Sequence, residues 1–295
     1  MNSDPRYNYL VRQFSIEMSL VAVLIGVIAV SSSAQTRKQT VILAVSSESG
    51  EGSMDAIGML RGGKLMSPYS DGEKDKQTAF GNEFFKQGTV YRLIFGGGDA
   101  GTATIGKWTE GCNNIHAQGT VSTSARLGGK VMALATNSET LGKRTISRRP
   151  PNEAERAATL KLMKSIYQQH RTPASLMSSI KVTNLTASDL NGDGKYEMIG
   201  SFTLTAKNKF QRDLLLIATP QGAGMRAEFA KFQAYQPPPE GFLSSIDFID
   251  QLDIDGDGIG EVFAQMGGFD GYVLVVFKKT GTRWRQVFDQ VGDVC

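Results

Sequence analysis

The sequence predicts a mainly β protein, with a small N-terminal β domain of barrel or sandwich type, one linking helix and a C-terminal pair of similar β units. Three observations predict it. Runs that alternate apolar and polar residues recur between residues 40 and about 137, each bounded by glycine or polar clusters. One stretch with helical spacing follows Asn152. Two acidic nine-residue loops, at residues 189–197 and 253–261, begin 64 residues apart (253 − 189), and each leads into an apolar β-like segment. A period of that length with a few strands per unit is what stacked sheets or propeller blades show.

The chain opens on a polar stretch carrying Arg6 and Arg12, continues through the apolar run of residues 18–30, and turns into Ser31, Ser32, Ser33 and Ala34. This is the three-part layout of a secretory signal peptide, with small residues at Ser32 and Ala34 placing cleavage before Gln35. Residues 1–34 are therefore expected to be a signal peptide, and the mature protein to be secreted or periplasmic. The alternative is an uncleaved N-terminal membrane anchor, although the run falls short of the ~20 apolar residues that span a bilayer. Removing residues 1–34 takes away two basic and two acidic side chains, so the net charge stays at +3. Such a small, evenly mixed charge argues against nucleic acid or an anionic membrane as partner. Cys112 and Cys295 are the two cysteines. In an oxidising compartment they allow one disulfide of a single connectivity, or else two unpaired thiols.

Residues 35–140 are expected to form the N-terminal β domain. Residues 41–45 read as a first strand, and residues 56–60 and 64–66 as a hairpin around Arg61, Gly62 and Gly63. A polar stretch around residues 71–77 interrupts the pattern. Strands at residues 89–95 and 102–108 follow, then strands near residues 115–121 and 130–135. Gly96, Gly98 and Gly101 fit the spacing of a dinucleotide fingerprint, but an alternating strand and not a helix comes next. No helix N-terminus awaits a pyrophosphate, so the glycines read as a hairpin turn.

Residues 141–151 read as a linker, because four basic side chains and two prolines suit a solvated connection. Residues 152–295 then hold a helix and two repeats. Asn152 and Glu155 have capping-box spacing, and Ala154, Ala158, Leu162, Met163, Ile166 and Tyr167 form a stripe expected to pack on a sheet. In each repeat the acidic loop leads through residues 198–202 or 262–264 to the very apolar residues 214–217 or 273–277. Last strands near residues 226–232 and 284–288 close the units, with Pro237, Pro238 and Pro239 as spacer.

The loops carry the chemistry. Asp189, Asn191 and Asp193 offer side-chain oxygens at positions 1, 3 and 5 of the first loop, the Lys195 carbonyl can serve position 7, and Glu197 holds position 9. Asp253, Asp255, Asp257, the Ile259 carbonyl and Glu261 do the same in the second. Packing so many oxygens into nine residues creates like-charge repulsion that a hard cation relieves. A helix-flanked EF-hand would set a bidentate glutamate at position 12, where this chain has Gly200 and Ala264. Coordination must close at position 9. Two Ca2+ ions are the expected cofactors, bound at the weak extracellular end of roughly 10⁻⁴ to 10⁻³ M, the first loop more weakly because Asn191 replaces a carboxylate. The alternative is an Asp/Gly turn that binds no metal.

Asp-x-Asn-Gly-Asp-Gly-x-x-Glu and Asp-x-Asp-Gly-Asp-Gly-x-x-Glu, each running into a strand, resemble the calcium loops of FG-GAP (VCBS-type) repeats of integrin-alpha-like propellers and exported bacterial proteins. The resemblance covers roughly residues 178 to 290. It implies that the ten positions named above are the calcium ligands, that each loop joins two strands of one blade, and that the pair forms partial propeller-like sheets. A closed propeller needs at least ~4 blades, and two units are evident.

His116 and His170 are the only histidines, which leaves little for acid–base work at neutral pH. Trp108, Tyr91, Trp284 and Tyr272 suit sheet packing or a sugar or peptide platform. The expected function is a noncatalytic extracytoplasmic binding or adhesion module with a protein or glycan partner. The alternatives are a secreted hydrolase using acidic residues such as Asp99 or Glu110, and a structural component of the cell envelope.

Overall fold

The computed structural model describes residues 39–69, 73–112, 114–206, 210–235, 245–268 and 271–294. The signal-peptide segment, the 237–239 prolines and Cys295 lie outside the described residues. The protein is mainly β, and the described residues form one compact unit. Among them no helix is long and apolar enough to cross a membrane.

Strands β1 (Thr40–Glu48), β2 (Glu51–Arg61), β3 (Lys64–Met66), β4 (Val90–Phe95), β5 (Gly98–Glu110), β6 (Ile115–Thr123) and β7 (Ala133–Thr136) build the first part. Their order is β1-β7-β4-β5-β6-β2-β3, and β1 also pairs with β2, which closes six strands into an antiparallel barrel with β3 hung on its edge. Alternation along the strands sends Val41, Leu43, Val45, Met54, Tyr91, Leu93 and Ile105 into one buried cluster. Gly96 and Gly97 make the β4–β5 turn with φ of 59° and 76°, a conformation glycine adopts freely.

The polar stretch around residues 71–77 is corrected by the structure: it leads into helix α1 (Lys74–Phe84). Gln77, Phe80, Gly81 and Phe84 are its buried positions, the i, i+3, i+4, i+7 spacing of one helical face. Phe80, Phe84 and Phe85 join the barrel's cluster, and Trp108 lies against Gly81.

Helix α2 (Glu153–Gln169) starts at the expected capping box, with Asn152 Oδ1 accepting from Glu155 N at 2.9 Å and Glu155 Oε2 accepting from Asn152 N at 2.8 Å. Ala154 is exposed, and the buried face is Thr159, Met163, Ile166 and Tyr167. A 3₁₀ turn (Ala174–Ser179) follows. Two four-stranded antiparallel meanders complete the chain: β8 (Lys181–Ser188), β9 (Glu197–Ala206), β10 (Phe210–Gln221) and β11 (Gly224–Tyr235), then β12 (Ser245–Leu252), β13 (Glu261–Gly267), β14 (Gly271–Thr280) and β15 (Arg283–Val294).

The layers stack in a fixed sequence. One face of the second meander packs Ile249, Leu252, Phe263, Leu274 and Val276 on the barrel residues Ile42, Ile94 and Leu134. Its other face packs Ile246, Phe248, Val262, Val275 and Phe277 on Ile199, Leu215 and Ile217 of the first meander. The far side of the first meander takes Met163, Ile166 and Tyr167 of α2. A sheet covered on both faces explains the unbroken apolar runs at residues 262–264 of β13 and 272–277 of β14.

The expected solvated linker is corrected as well. Arg148 is buried, its guanidinium lies between the rings of Phe95 and Phe248, and it pairs with the fully buried Asp250 at 3.4 Å. Asp250 also accepts from Gly96 N at 3.0 and 2.9 Å, so the glycine turn docks the barrel onto β12. Burial pushes the Asp250 carboxyl up to about 6, against the pull of Arg148 and the backbone N–H groups of Gln251 and Gly96. Arg149 binds Glu155 at 2.8 Å through both nitrogens. Basic side chains that look merely solvated in sequence clamp the layers together.

Candidate metal centres

Each acidic loop is the connection between the first two strands of its meander: residues 189–197 join β8 to β9, and residues 253–261 join β12 to β13. The glycines set the turn. Gly192 and Gly194 have φ of 73° and 81°, and Gly256 and Gly258 of 79° and 89°, which lets successive N–H groups point inward.

The first aspartate organises each loop. Asp189 Oδ1 accepts from Gly192 N at 2.7 Å and Oδ2 from Gly194 N at 2.9 Å. Asp253 Oδ1 accepts from Gly256 N at 2.8 Å and Oδ2 from Gly258 N at 3.0 Å. The fifth residue repeats the pattern, with Asp193 Oδ1 accepting from Lys195 N at 2.8 Å and Asp257 Oδ1 from Ile259 N at 2.9 Å. The closing glutamate then clasps the loop: Glu197 Oε2 takes Leu190 N at 3.0 Å, and Glu261 Oε2 takes Ile254 N at 2.9 Å. The two loops also touch, through Gly260 N and Leu190 O at 2.7 Å.

Electrostatics separate them. In the second loop Lys278 Nζ lies 2.5 Å from Asp255 Oδ2, 2.6 Å from Asp257 Oδ2 and 2.9 Å from Glu261 Oε1. Arg144 Nη2 lies 3.1 Å from Asp253 Oδ2. Oxygens of Asp253, Asp255 and Glu261 come within 4.8 Å of one another, the one such trio of acidic, histidine or cysteine side chains among the described residues. Burial pushes Lys278 down, but its three carboxylates hold it above the usual lysine range. Burial pushes Glu261 up, while Ile254 N–H and Lys278 pull the other way. In the first loop burial likewise pushes Glu197 up, Leu190 N–H opposes it, and the charges of Asp193 and Asp189 add to the rise. Asp189, Asp193 and Glu197 form no ion pair with a basic side chain among the described residues.

The second loop's donors converge as a hard cation requires, while the carboxylates of Asp189, Asp193 and Glu197 in the first do not all come within 4.8 Å of one another. All the donors are oxygens, as Ca2+ requires, and three of those in the second loop already converge on one ammonium. Beside the first loop lies a cavity of about 30 Å³, lined by residues that include Asn191, Glu197, Trp284 and the ion pair of Glu228 with Lys279. Trp284 Nε1 is buried there without a hydrogen-bond partner. The space exceeds the ~10–15 Å³ that a water needs, and a metal-bound water would satisfy the indole.

The other expected chemistry resolves differently. Tyr91 is fully buried with its hydroxyl on Phe84 O at 2.6 Å, and Trp284 is 7% exposed, so both are core. His116 pairs with Asp55, and His170 stacks on Phe232. Asp99 and Glu110 stand near opposite ends of β5, with Asp99 bound to Arg92 at 2.9 Å. They lie eleven steps apart along the strand, at most roughly 35 Å, so they do not form a carboxylate pair with each other. Cys112 is disulfide-bonded, and its sequence-expected partner Cys295 lies outside the described residues. Lys278 and Arg144 are the residues that sequence reasoning missed at the site. The chain matches no protein-family model, and no curated protein or solved structure matches it.

Proposed function

We propose that this is an exported calcium-binding protein acting as a noncatalytic extracytoplasmic binding or adhesion module, each meander being a blade unit of FG-GAP type. One observation carries the reading: both acidic loops occupy the same connection of the same four-stranded meander, with the same glutamate clasp. Asp189, Asn191, Asp193, the Lys195 carbonyl and Glu197, with their counterparts Asp253, Asp255, Asp257, the Ile259 carbonyl and Glu261, are the candidate calcium ligands. Bound calcium favours the folded loops and so stiffens the strands on either side. The stacking also accounts for a pair of units in place of a closed ring. The barrel covers the second meander on the face where another blade would pack, and α2 covers the first.

For the partner-binding surface the barrel offers a groove of about 720 Å³ whose lining includes Ser46, Glu48, Glu51, Lys107 and Gln118. Hydroxyl, amide and charged groups on a glycine-lined floor suit a glycan or an extended peptide.

Thermal melting of the exported chain in calcium and in chelator tests the calcium reading. With Kd near 10⁻⁴ to 10⁻³ M, about 10 mM calcium should raise the Tm by roughly 3–10 °C. Replacing Asp189, Asp193, Asp253 and Asp257 with asparagine together should abolish that rise. An identical rise in the variant, or none in the wild type, contradicts the proposal.

A further inference from the structure

We infer that Lys278 is the resident cation of the second loop, a tethered ammonium that keeps calcium out of it and leaves the first loop as the calcium-responsive one. The inference rests on the reading of these loops as cation sites, and it reverses the order of affinity that the residue types alone suggest.

The geometry is direct. Lys278 Nζ stands 2.5 to 2.9 Å from oxygens of Asp255, Asp257 and Glu261, close to the 2.3–2.6 Å at which calcium would hold the same atoms. Two cations cannot share that centre. The side chain reaches it because of strand register. Val262 pairs with Phe277, so Glu261 faces Lys278 one step on; Met198 pairs with Ala218, so Glu197 faces Thr219 at the equivalent step. A hydroxyl therefore takes the ammonium's place in the first meander, and Thr219 Oγ1 is turned to Glu228.

Charge gives the same assignment. The second loop has four carboxylates, answered by Lys278 and Arg144. The first has three and no paired base among the described residues. A cation fixed to the neighbouring strand competes at a high effective concentration, against which millimolar affinity for free calcium is weak. Burial is not what excludes the ion. Asp255, Glu261 and Lys278 all line a cleft of about 340 Å³ beside the β2–β3 turn, so the cluster is within reach of solvent.

Calcium stoichiometry, measured by equilibrium dialysis and calorimetry on the exported chain, tests this. The wild type should bind one ion per chain, Lys278→Met two, and Lys278→Arg one, since the arginine keeps a charge in place. The Asp189→Asn and Asp193→Asn pair should bind none. Two ions in the wild type, or one in Lys278→Met, overturns the inference while the calcium reading survives. No binding by any variant overturns the calcium reading itself, and the inference with it. Should Lys278→Met not fold, Thr219→Lys leaves the second loop untouched and supplies the first with an ammonium. It should abolish the single wild-type ion, and retention of that ion overturns the inference.

Discussion

The two acidic loops share length, turn glycines, the position-one aspartate that gathers N–H groups, and the glutamate that closes back on the second loop residue. They differ in what faces them. Thr219 stands opposite Glu197, and Lys278 opposite Glu261. The difference teaches that a ligand pattern within a loop does not decide what neutralises it. The strand two along the meander does, through a register that brings a side chain from 17 residues away onto Glu261.

The largest expected effect comes from deleting the resident ammonium. In chelator, Lys278→Met leaves the nearly fully buried Glu261 and two aspartates without their counter-ion. Breaking a buried pair costs about 3–5 kcal/mol, and because Lys278 remains 23% exposed the loss should be nearer 2–4 kcal/mol, a Tm fall of roughly 5–15 °C. Added calcium should recover much of it. A melt unchanged by the substitution would break the comparison, since the second loop would then need no cation.

Next in size is the pH response of the first loop. Burial raises Glu197 in the folded state, so its favourable contribution is full below the unfolded value of about 4.3 and is lost as pH rises through the folded value. In chelator, Glu197→Gln should therefore melt with the wild type near pH 4 and above it at pH 7.5. Calcium should invert the order, because the amide removes a carboxylate ligand. Parallel melts across pH, with and without calcium, check both signs, and a variant less stable in chelator at pH 7.5 contradicts the account.

The smallest change sharpens the comparison most. Asn191→Asp gives the first loop the side-chain ligand set of the second while Thr219 still faces it. Calcium affinity should rise several-fold in a titration, with a stability loss in chelator of about 0.5 kcal/mol from added like-charge repulsion. A weaker affinity would mean that ligand charge is not what limits this loop.

Much of this was legible in the sequence. Glycine pairs marked the β2–β3 and β4–β5 turns, Asn152 and Glu155 marked the start of α2, and the repeat of acidic loops foreshadowed two equivalent meanders. Local chemistry carried each of these signals. Strands β8 and β12 were implied by the resemblance of the loops alone, and β12 buries Asp247 and Asp250 where a strand core is expected to be apolar. Those carboxylates are held by Lys130 and Arg148, partners more than 100 residues away. Helix α1 was hidden by the polar residues of its exposed side, although the spacing of Gln77, Phe80, Gly81 and Phe84 was there to read. Lys278 left no local signal at all: a lysine at the end of an apolar strand reads as solvated until register sets it beside Glu261.

Anomalous scattering from crystals of the protein grown in calcium tests the central claim most directly. The account predicts a calcium peak among Asp189, Asn191, Asp193 and Glu197, with Lys278 Nζ still seated among Asp255, Asp257 and Glu261. A peak in the second loop with Lys278 swung out into the adjacent cleft, or no peak in the first, would contradict it.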